Sequence, residues 1–151
     1  MDDTPGSPQL EIVTGNLPAG FEALRADART EGFKQIERLA IDWETHTTRF
    51  DRQGEALLAA RIDGVLAGIG GLTIEPVVPD AFRMRRFYVR PPFRRSGVGR
   101  KLVVALLAQV EHTGQAITVN AAAGSVPFWE ALGFKRDTRD GHTHIRPGRR
   151  S

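Results

Sequence analysis

Apolar positions along the chain change their period several times, and each change marks an element. Leu10–Thr14 alternates and predicts a first strand, followed by a turn at Gly15-Asn16-Leu17-Pro18. Phe21–Thr48 is helical in pattern but broken near Glu31-Gly32, which predicts two short helices. Leu39, Trp43 and His46 share a face of the second. Ala56–Asp63 and Val65–Ile74 flank Asp63-Gly64, a hairpin signal. Gly68, Gly70 and Gly71 interrupt its second arm, through a bulge or close packing, or to leave bare backbone for a ligand. Glu75-Pro76 ends that strand, and Val77–Asp80 is a loop.

The stretch Arg83–Lys101 begins as a strand and ends as the first turn of a helix. Phe87, Tyr88 and Val89 suit a pleated, half-buried surface, and Pro91-Pro92 stops the ladder. Beyond Ser96-Gly97-Val98-Gly99, the residues Val98, Leu102, Val103, Leu106, Leu107 and Val110 recur at helical spacing. Ala116–Asn120 reads as a short strand. Ser125–Leu132 reads as a short helix, with Ser125 as N-cap, Pro127 in the first turn and Gly133 as the stop. Phe134–Asp137 and His142–Arg146 close the pattern, and Met1–Gln9 and Pro147–Ser151 are expected to be loose tails. The order β–α–α–β–β–β–α–β–α–β–β predicts an α/β (α+β) chain built on one sheet.

Composition narrows the function classes. With 151 residues, the chain is expected to form one domain over 1–151. It has no cysteine, which excludes disulfide frameworks, thiolate catalysis and cysteine–zinc sites. No apolar run is long enough to span a bilayer and the start lacks signal-peptide features, so a cytoplasmic protein without membrane contact is expected. The net charge of +3 hides an asymmetry. Residues 1–80 hold 7 Lys/Arg against 14 Asp/Glu, and residues 81–151 hold 14 against 4. Eight of those later cations fall between Arg83 and Lys101. A solvated basic face or a nucleic-acid surface would use such charges, but no basic stripe runs along a recognition helix.

The cluster coincides with a helix start. The first N–H groups of a helix lack partners within it, and the dipole places partial positive charge there. Arg100 and Lys101 oppose that dipole by roughly 0.3–1 kcal/mol each, a conflict that a bound phosphate or pyrophosphate removes. Gly97 and Gly99 let an anion approach. The P-loop pattern is absent, and the third glycine of a dinucleotide fingerprint is replaced by Leu102. What remains is R-x-x-G-x-G, written Arg94-Arg95-Ser96-Gly97-Val98-Gly99.

In its context this string resembles the acyl-CoA pyrophosphate loop of the GNAT family of N-acetyltransferases. F-Y-V-R-P-P before it looks like the family's strand four. Asn120–Phe134, N-A-A-A-G-S-V-P-F-W-E-A-L-G-F, looks like its strand five and helix four. The resemblance implies a single mixed sheet whose fourth and fifth strands are parallel and splay apart. It implies acetyl-CoA as acyl donor and a primary amine, on a small molecule or peptide, attacking directly in a ternary complex. The backbone of Phe87, Tyr88 and Val89 would bind the pantetheine arm and stabilise the oxyanion at the acyl carbonyl. Arg94, Arg95, Ser96, Gly97, Val98, Gly99 and Arg100 would hold the pyrophosphate. Asn120 would meet the pantetheine amide, and Phe128 would lie along the cofactor.

Two positions depart from the family pattern. Trp129 stands where a tyrosine commonly protonates the leaving thiolate, and indole is no general acid. Arg83 stands where many members carry a glutamate base. Glu75 is then the candidate base and Tyr88 the candidate acid. His46, His142 and His144 are further candidate proton carriers, but His142 and His144 lack a third ligand, so no metal is expected. The acceptor would enter near Trp43, His46 and Glu75. Arg83 in that pocket would favour an acceptor bearing carboxylate or phosphate. A CoA-binding module without catalysis and a nucleic-acid binder are the alternatives. The residues leave a homodimer open.

Overall fold

The computed structural model describes residues 7–149. Its strands are β1 (Gln9–Ile12), β2 (Ala56–Ile62), β3 (Val65–Ile74), β4 (Ala81–Val89), β5 (Ala116–Val119), β6 (Lys135–Arg136) and β7 (His144–Arg146). Its α-helices are α1 (Phe21–Thr30), α2 (Gln35–Glu44), α3 (Val98–Val110) and α4 (Val126–Ala131). The order of elements is the expected one. The strands form a single mixed sheet, β1-β2-β3-β4-β5-β7-β6, in which β4 and β5 are parallel and all other neighbours antiparallel.

Each face of the sheet carries a helical layer. The predicted stripe of α3 is fully buried, and Leu102, Val103 and Leu106 pack on Phe82 and Met84 of β4. On the other face, Leu24 and Ala28 of α1 and Ile36 and Leu39 of α2 pack on Leu57 and Ile69. Strand β4 changes parity between these layers. Arg86 has φ 62 and sits where the β3–β4 register shifts, so it is a bulge. Before it, Phe82 and Met84 face α3. After it, Phe87 and Val89 face α3, while Tyr88 turns to the α1–α2 layer.

The glycines of β3 are explained by close packing. A Cβ on Gly70 would lie 2.5 Å from the Phe87 ring, one on Gly71 2.4 Å from the Phe50 ring, and one on Gly68 2.8 Å from Val98. Aromatic and aliphatic side chains, rather than a ligand, use the bare backbone.

Two expectations are corrected at the edges. Ser125 holds the N-cap position of α4, but its hydroxyl donates to the Ala122 carbonyl at 2.7 Å instead of capping the helix. The C-terminal segment through Arg149 is docked rather than loose. The Arg149 N–H donates to the Gly114 carbonyl at 2.8 Å, and its guanidinium pairs with Glu111 at 2.6 Å. Gln9 likewise opens β1. Residues 1–6 and 150–151 lie outside the described residues.

The helix pair is joined by charge. Glu37 of α2 accepts from Arg25 at 3.0 and 2.9 Å and from Arg29 at 2.6 Å. Those hydrogen bonds lower its pKa from 4.5 to about 2. A depressed carboxylate pKa contributes stability above the unfolded value and loses it as pH falls toward the folded one. Glu37→Gln is therefore expected to lower the melting temperature at pH 7, with the gap to wild type closing as pH falls from 4.5 toward 2. A pH-independent gap would contradict this. Gly70→Ala is expected to destabilise by about 1–2 kcal/mol in urea denaturation, because overpacking outweighs the smaller entropic gain of removing a strand glycine. A variant as stable as the parent would show that the Phe87 ring moves freely.

Candidate active site

Strands β4 and β5 pair only between Ala81–Met84 and Ala116–Val119. Beyond Met84 they part, and the gap opens into a cleft of about 1020 Å³. That lies at the upper end of ordinary ligand sites. Its walls are the free edge of β4, the start of α3, the β5–α4 connection and the start of α2.

The β4 edge presents donors to the cleft. The Arg90 N–H bonds the Ala67 carbonyl of β3 at 2.9 Å, so by strand alternation Phe87 and Val89 turn their backbone groups the other way. Their carbonyls are already occupied. Gln35 Nε2 donates to the Phe87 carbonyl at 3.1 Å, and Arg94 Nε donates to the Val89 carbonyl at 3.0 Å. The two N–H groups remain for a ligand.

A second set of donors lies at the turn before α3. Gly97 is the N-cap residue with φ 84, makes no side-chain cap, and has open space where a Cβ would stand. The first turn of α3 contains no acidic residue. Gly99 faces Phe128, whose ring lies 3.3 Å from where a Cβ would be. This bare, positively polarised helix start can take a phosphate group.

Between the parted strands sits an aromatic wedge. Trp129 meets Phe87, Phe128 and Phe134 edge to face, with centroids 5.1, 5.1 and 5.2 Å away. Trp129 is buried, so it acts here as packing that holds the strands apart.

Most of the expected cofactor residues converge on this cleft. Phe87, Tyr88, Val89, Asn120 and Phe128 line it, as do Arg94, Arg95, Gly97, Val98, Gly99 and Arg100. Ser96 does not; its hydroxyl is bonded to the Phe93 carbonyl. Arg94 lines the cleft with its charge already answered by Glu31, whose Oε2 lies 2.9 Å from Nη1. That pairing raises the Arg94 pKa and lowers that of Glu31.

The proposed proton carriers are placed otherwise. Glu75 is buried and does not line the cleft. Its Oε2 accepts from the N–H groups of Val77 and Val78 at 2.6 and 3.0 Å. Its Oε1 accepts from Thr118 Oγ1 at 2.8 Å and forms an ion pair with Arg83 Nη2 at 2.8 Å. Burial alone would raise its pKa, but these donors outweigh it and hold the carboxyl ionised and occupied. It has no lone pair facing an acceptor. Tyr88 sends its hydroxyl to Glu31, in the α1–α2 layer. Burial, then the Glu31 hydrogen bond and charge, push the phenol's pKa up. It is poorly suited to release a proton.

Trp43 and His46 do not line the cleft. Trp43 is core, its indole N–H donating to the Gly15 carbonyl at 2.9 Å, and His46 lies against Arg49 at 3.3 Å. Arg83 does line the cleft, tied to Glu75. His142 and His144 are buried away from it, the latter 3.2 Å from Glu130. Among the described residues, no three metal-ligating side chains cluster.

Among the cleft residues that escape sequence reasoning are Lys34, Gln35, Arg38 and Arg85. The first three stand at the start of α2, where nothing local signals proximity to β4. Arg85 was visible as one more cation in a basic run.

A splayed parallel strand pair, a bulged donor edge and a glycine-bearing helix start define an acyltransferase of the N-acetyltransferase fold. The model of the acetyltransferase (GNAT) domain matches residues 24–144, and the chain belongs to this family, whose chemistry is acyl transfer. Solved structures share the fold. A candidate acetyltransferase from Exiguobacterium sp. 255-15 gives a TM-score of 0.83 at 24% identity, over 92% of this chain and 92% of that one. An acetyltransferase from Streptococcus agalactiae 2603 gives 0.71 at 15% identity, over 93% and 98%. N-acetylglutamate synthase from Neisseria gonorrhoeae, solved with coenzyme A and L-arginine, gives 0.68 at 15% identity, over 95% of this chain and 34% of that one. No curated protein matches the sequence.

Removing Arg83 strands the Glu75 carboxylate, whose side chain is 0% exposed. Arg83→Ala is expected to cost about 3 kcal/mol, the low end for a broken buried pair because the other donors remain. Chemical denaturation measures this; a loss under 1 kcal/mol would show the pair to be dispensable.

Proposed function

We propose that the protein transfers an acetyl group from acetyl-CoA to a primary amine, with both substrates held in the cleft together. The observation that supports this best is the shared wall of two donor sets. The free N–H groups of Phe87 and Val89 suit the pantetheine arm and the acyl carbonyl. The open start of α3 at Gly97 suits the pyrophosphate, with Arg95 and Arg100 adding charge. Asn120 is exposed at the mouth and Phe128 flanks Gly99, both within reach of the same ligand. Acetyl-CoA supplies the activated acyl group; the chain supplies position and donors.

Among the described residues, the cleft wall contains no Asp, Glu or His. Deprotonation of the amine therefore rests on the field of the wall instead of a side-chain base. Eight cationic residues line the cleft; Arg83, Arg86 and Arg94 are paired with carboxylates, and the like charge of the unpaired Lys34, Arg38 and Arg85 lowers an ammonium pKa, favouring the neutral, nucleophilic amine. Phe87 N–H, aimed at the acyl oxygen, stabilises the charge that develops there. Positioning two substrates side by side contributes the rest.

The basic run fits nucleic acid less well. Of its eight members, Arg83, Arg86, Arg90 and Arg94 are paired to carboxylates, and Lys101 donates to the Pro8 carbonyl at 2.9 Å. The test is thermal melting with acetyl-CoA, ATP, NADH and duplex DNA, followed by thiol release with an amine panel. Acetyl-CoA at a hundred times its Kd should stabilise by about 2.7 kcal/mol. Gly97→Glu, which puts a carboxylate at the anion site, should abolish that shift. Absence of a shift in the wild type would overturn the reading, and binding without turnover would reduce the protein to a CoA-binding module.

A further inference from the structure

The cations of the cleft divide into three groups. Arg83, Arg86 and Arg94 are answered by Glu75, Asp42 and Glu31. Arg95 and Arg100 stand at the start of α3, where a pyrophosphate is accounted for. Lys34, Arg38 and Arg85 are left, and among the described residues none of their side chains makes an ion pair or hydrogen bond.

Arg85 is the informative member. It lies on β4 immediately before the bulge, so it flanks Phe87 on the side away from the α3 turn. It shares strand parity with Arg83, which turns it toward the α1–α2 side, where Lys34 and Arg38 enter the cleft. Its neighbours Arg83, Arg86 and Arg90 have each recruited a carboxylate. Arg85 is partly buried without one. Burial, then the like charges of Arg86 and Arg83, lower its pKa despite Asp42 and Glu75 nearby. A desolvated guanidinium without a counter-ion is unfavourable, and an arriving anion removes that cost. The planar guanidinium also matches the paired oxygens of carboxylate and phosphate.

We propose that Arg85, with Lys34 and Arg38, forms a second anion site in the cleft, which binds a carboxylate or phosphate carried by the acceptor amine. The acceptor is then a small anionic amine, and neutral amines and polyamines are discriminated against. This rests on the acyltransferase reading, since it takes the α3 turn to be filled by CoA. The anion also resolves an electrostatic conflict: a lone ammonium would be repelled by this wall, whereas a substrate bearing both charges is drawn in.

The test is calorimetry on CoA-saturated protein at constant ionic strength, so that the pyrophosphate site is already occupied. Inorganic phosphate, N-acetylglycine and the neutral N-acetylglycinamide are titrated separately. At least one anion should bind saturably and the neutral amide should not. Binding to phosphate alone assigns a phosphorylated acceptor, and binding to N-acetylglycine alone assigns a carboxylate. Arg85→Gln should weaken that anion at least about tenfold, the scale of a lost charge-assisted hydrogen bond, with CoA binding unchanged. Arg85→Lys, which keeps the charge, should recover part of the affinity. Neither anion binding, or anion binding unaffected by Arg85→Gln, overturns the second site and leaves the acyltransferase reading standing. Failure of the wild type to bind CoA removes both. Should Arg85→Gln fail to fold, the wild-type contrast between anions and the amide decides alone.

Discussion

Everything at the site depends on two parallel strands that pair for four residues and then separate. A parallel pair ordinarily continues until both strands end, because each unpaired N–H and C=O left in a protein interior is unfavourable. Here three devices make the separation stable. The Trp129 wedge, clasped by Phe87, Phe128 and Phe134, fills the space that β5 vacates. Gln35 and Arg94 satisfy the two carbonyls that β5 would have capped. The bulge at Arg86 then flips the strand's parity, so Phe87 supplies a ring to the wedge and an N–H to the cleft from the same residue. Trp129 in place of the family's tyrosine is consistent with this arrangement. A larger apolar ring strengthens the wedge.

The charge asymmetry of the chain has a structural meaning. Its acidic first half and basic second half meet along β4, where Asp42 takes Arg86 at 2.9 Å, Asp27 takes Arg90 at 2.7 Å, and Glu31 takes Arg94. These pairs fasten the α1–α2 layer to the strand that carries the donors. They are partly buried and charge-assisted, so they set orientation more than they add stability. What looked like one basic patch is mostly neutralised, and the few cations left over are confined to the two ends of the cleft.

Legibility in the sequence followed the distance over which information is carried. The α3 stripe, the β2–β3 hairpin and the helix break near Glu31 rest on local periodicity and turn chemistry, and they appear within a residue or two of their expected limits. The anion turn was readable because its residues are contiguous. Glu75, Trp43 and His46 were drawn toward the site by residue type alone, and their partners Thr118, Gly15 and Arg49 came from the fold. The same is true of Glu31, whose engagement of both Tyr88 and Arg94 has no local signature. Arg85 differs from its neighbours only in what it lacks, and an unmet charge is visible only once every other partner has been assigned.

The ion pairs along β4 also order events in time. Asp42 meets Arg86 across 44 positions, and Asp27 and Glu31 meet Arg90 and Arg94 across 63. Closing the longer loop costs only about 0.3 kcal/mol more than the shorter one, so chain entropy hardly separates them. Translation separates them far more. At about 5–20 residues per second, a 63-residue gap keeps the helix pair waiting about 3–13 s for its strand. Throughout that interval the emerged half carries an excess of unpaired carboxylates, and its self-repulsion delays collapse onto β1–β3. The excess charge opposes association between incomplete chains, and the helix pair docks on β4 only once that strand has emerged.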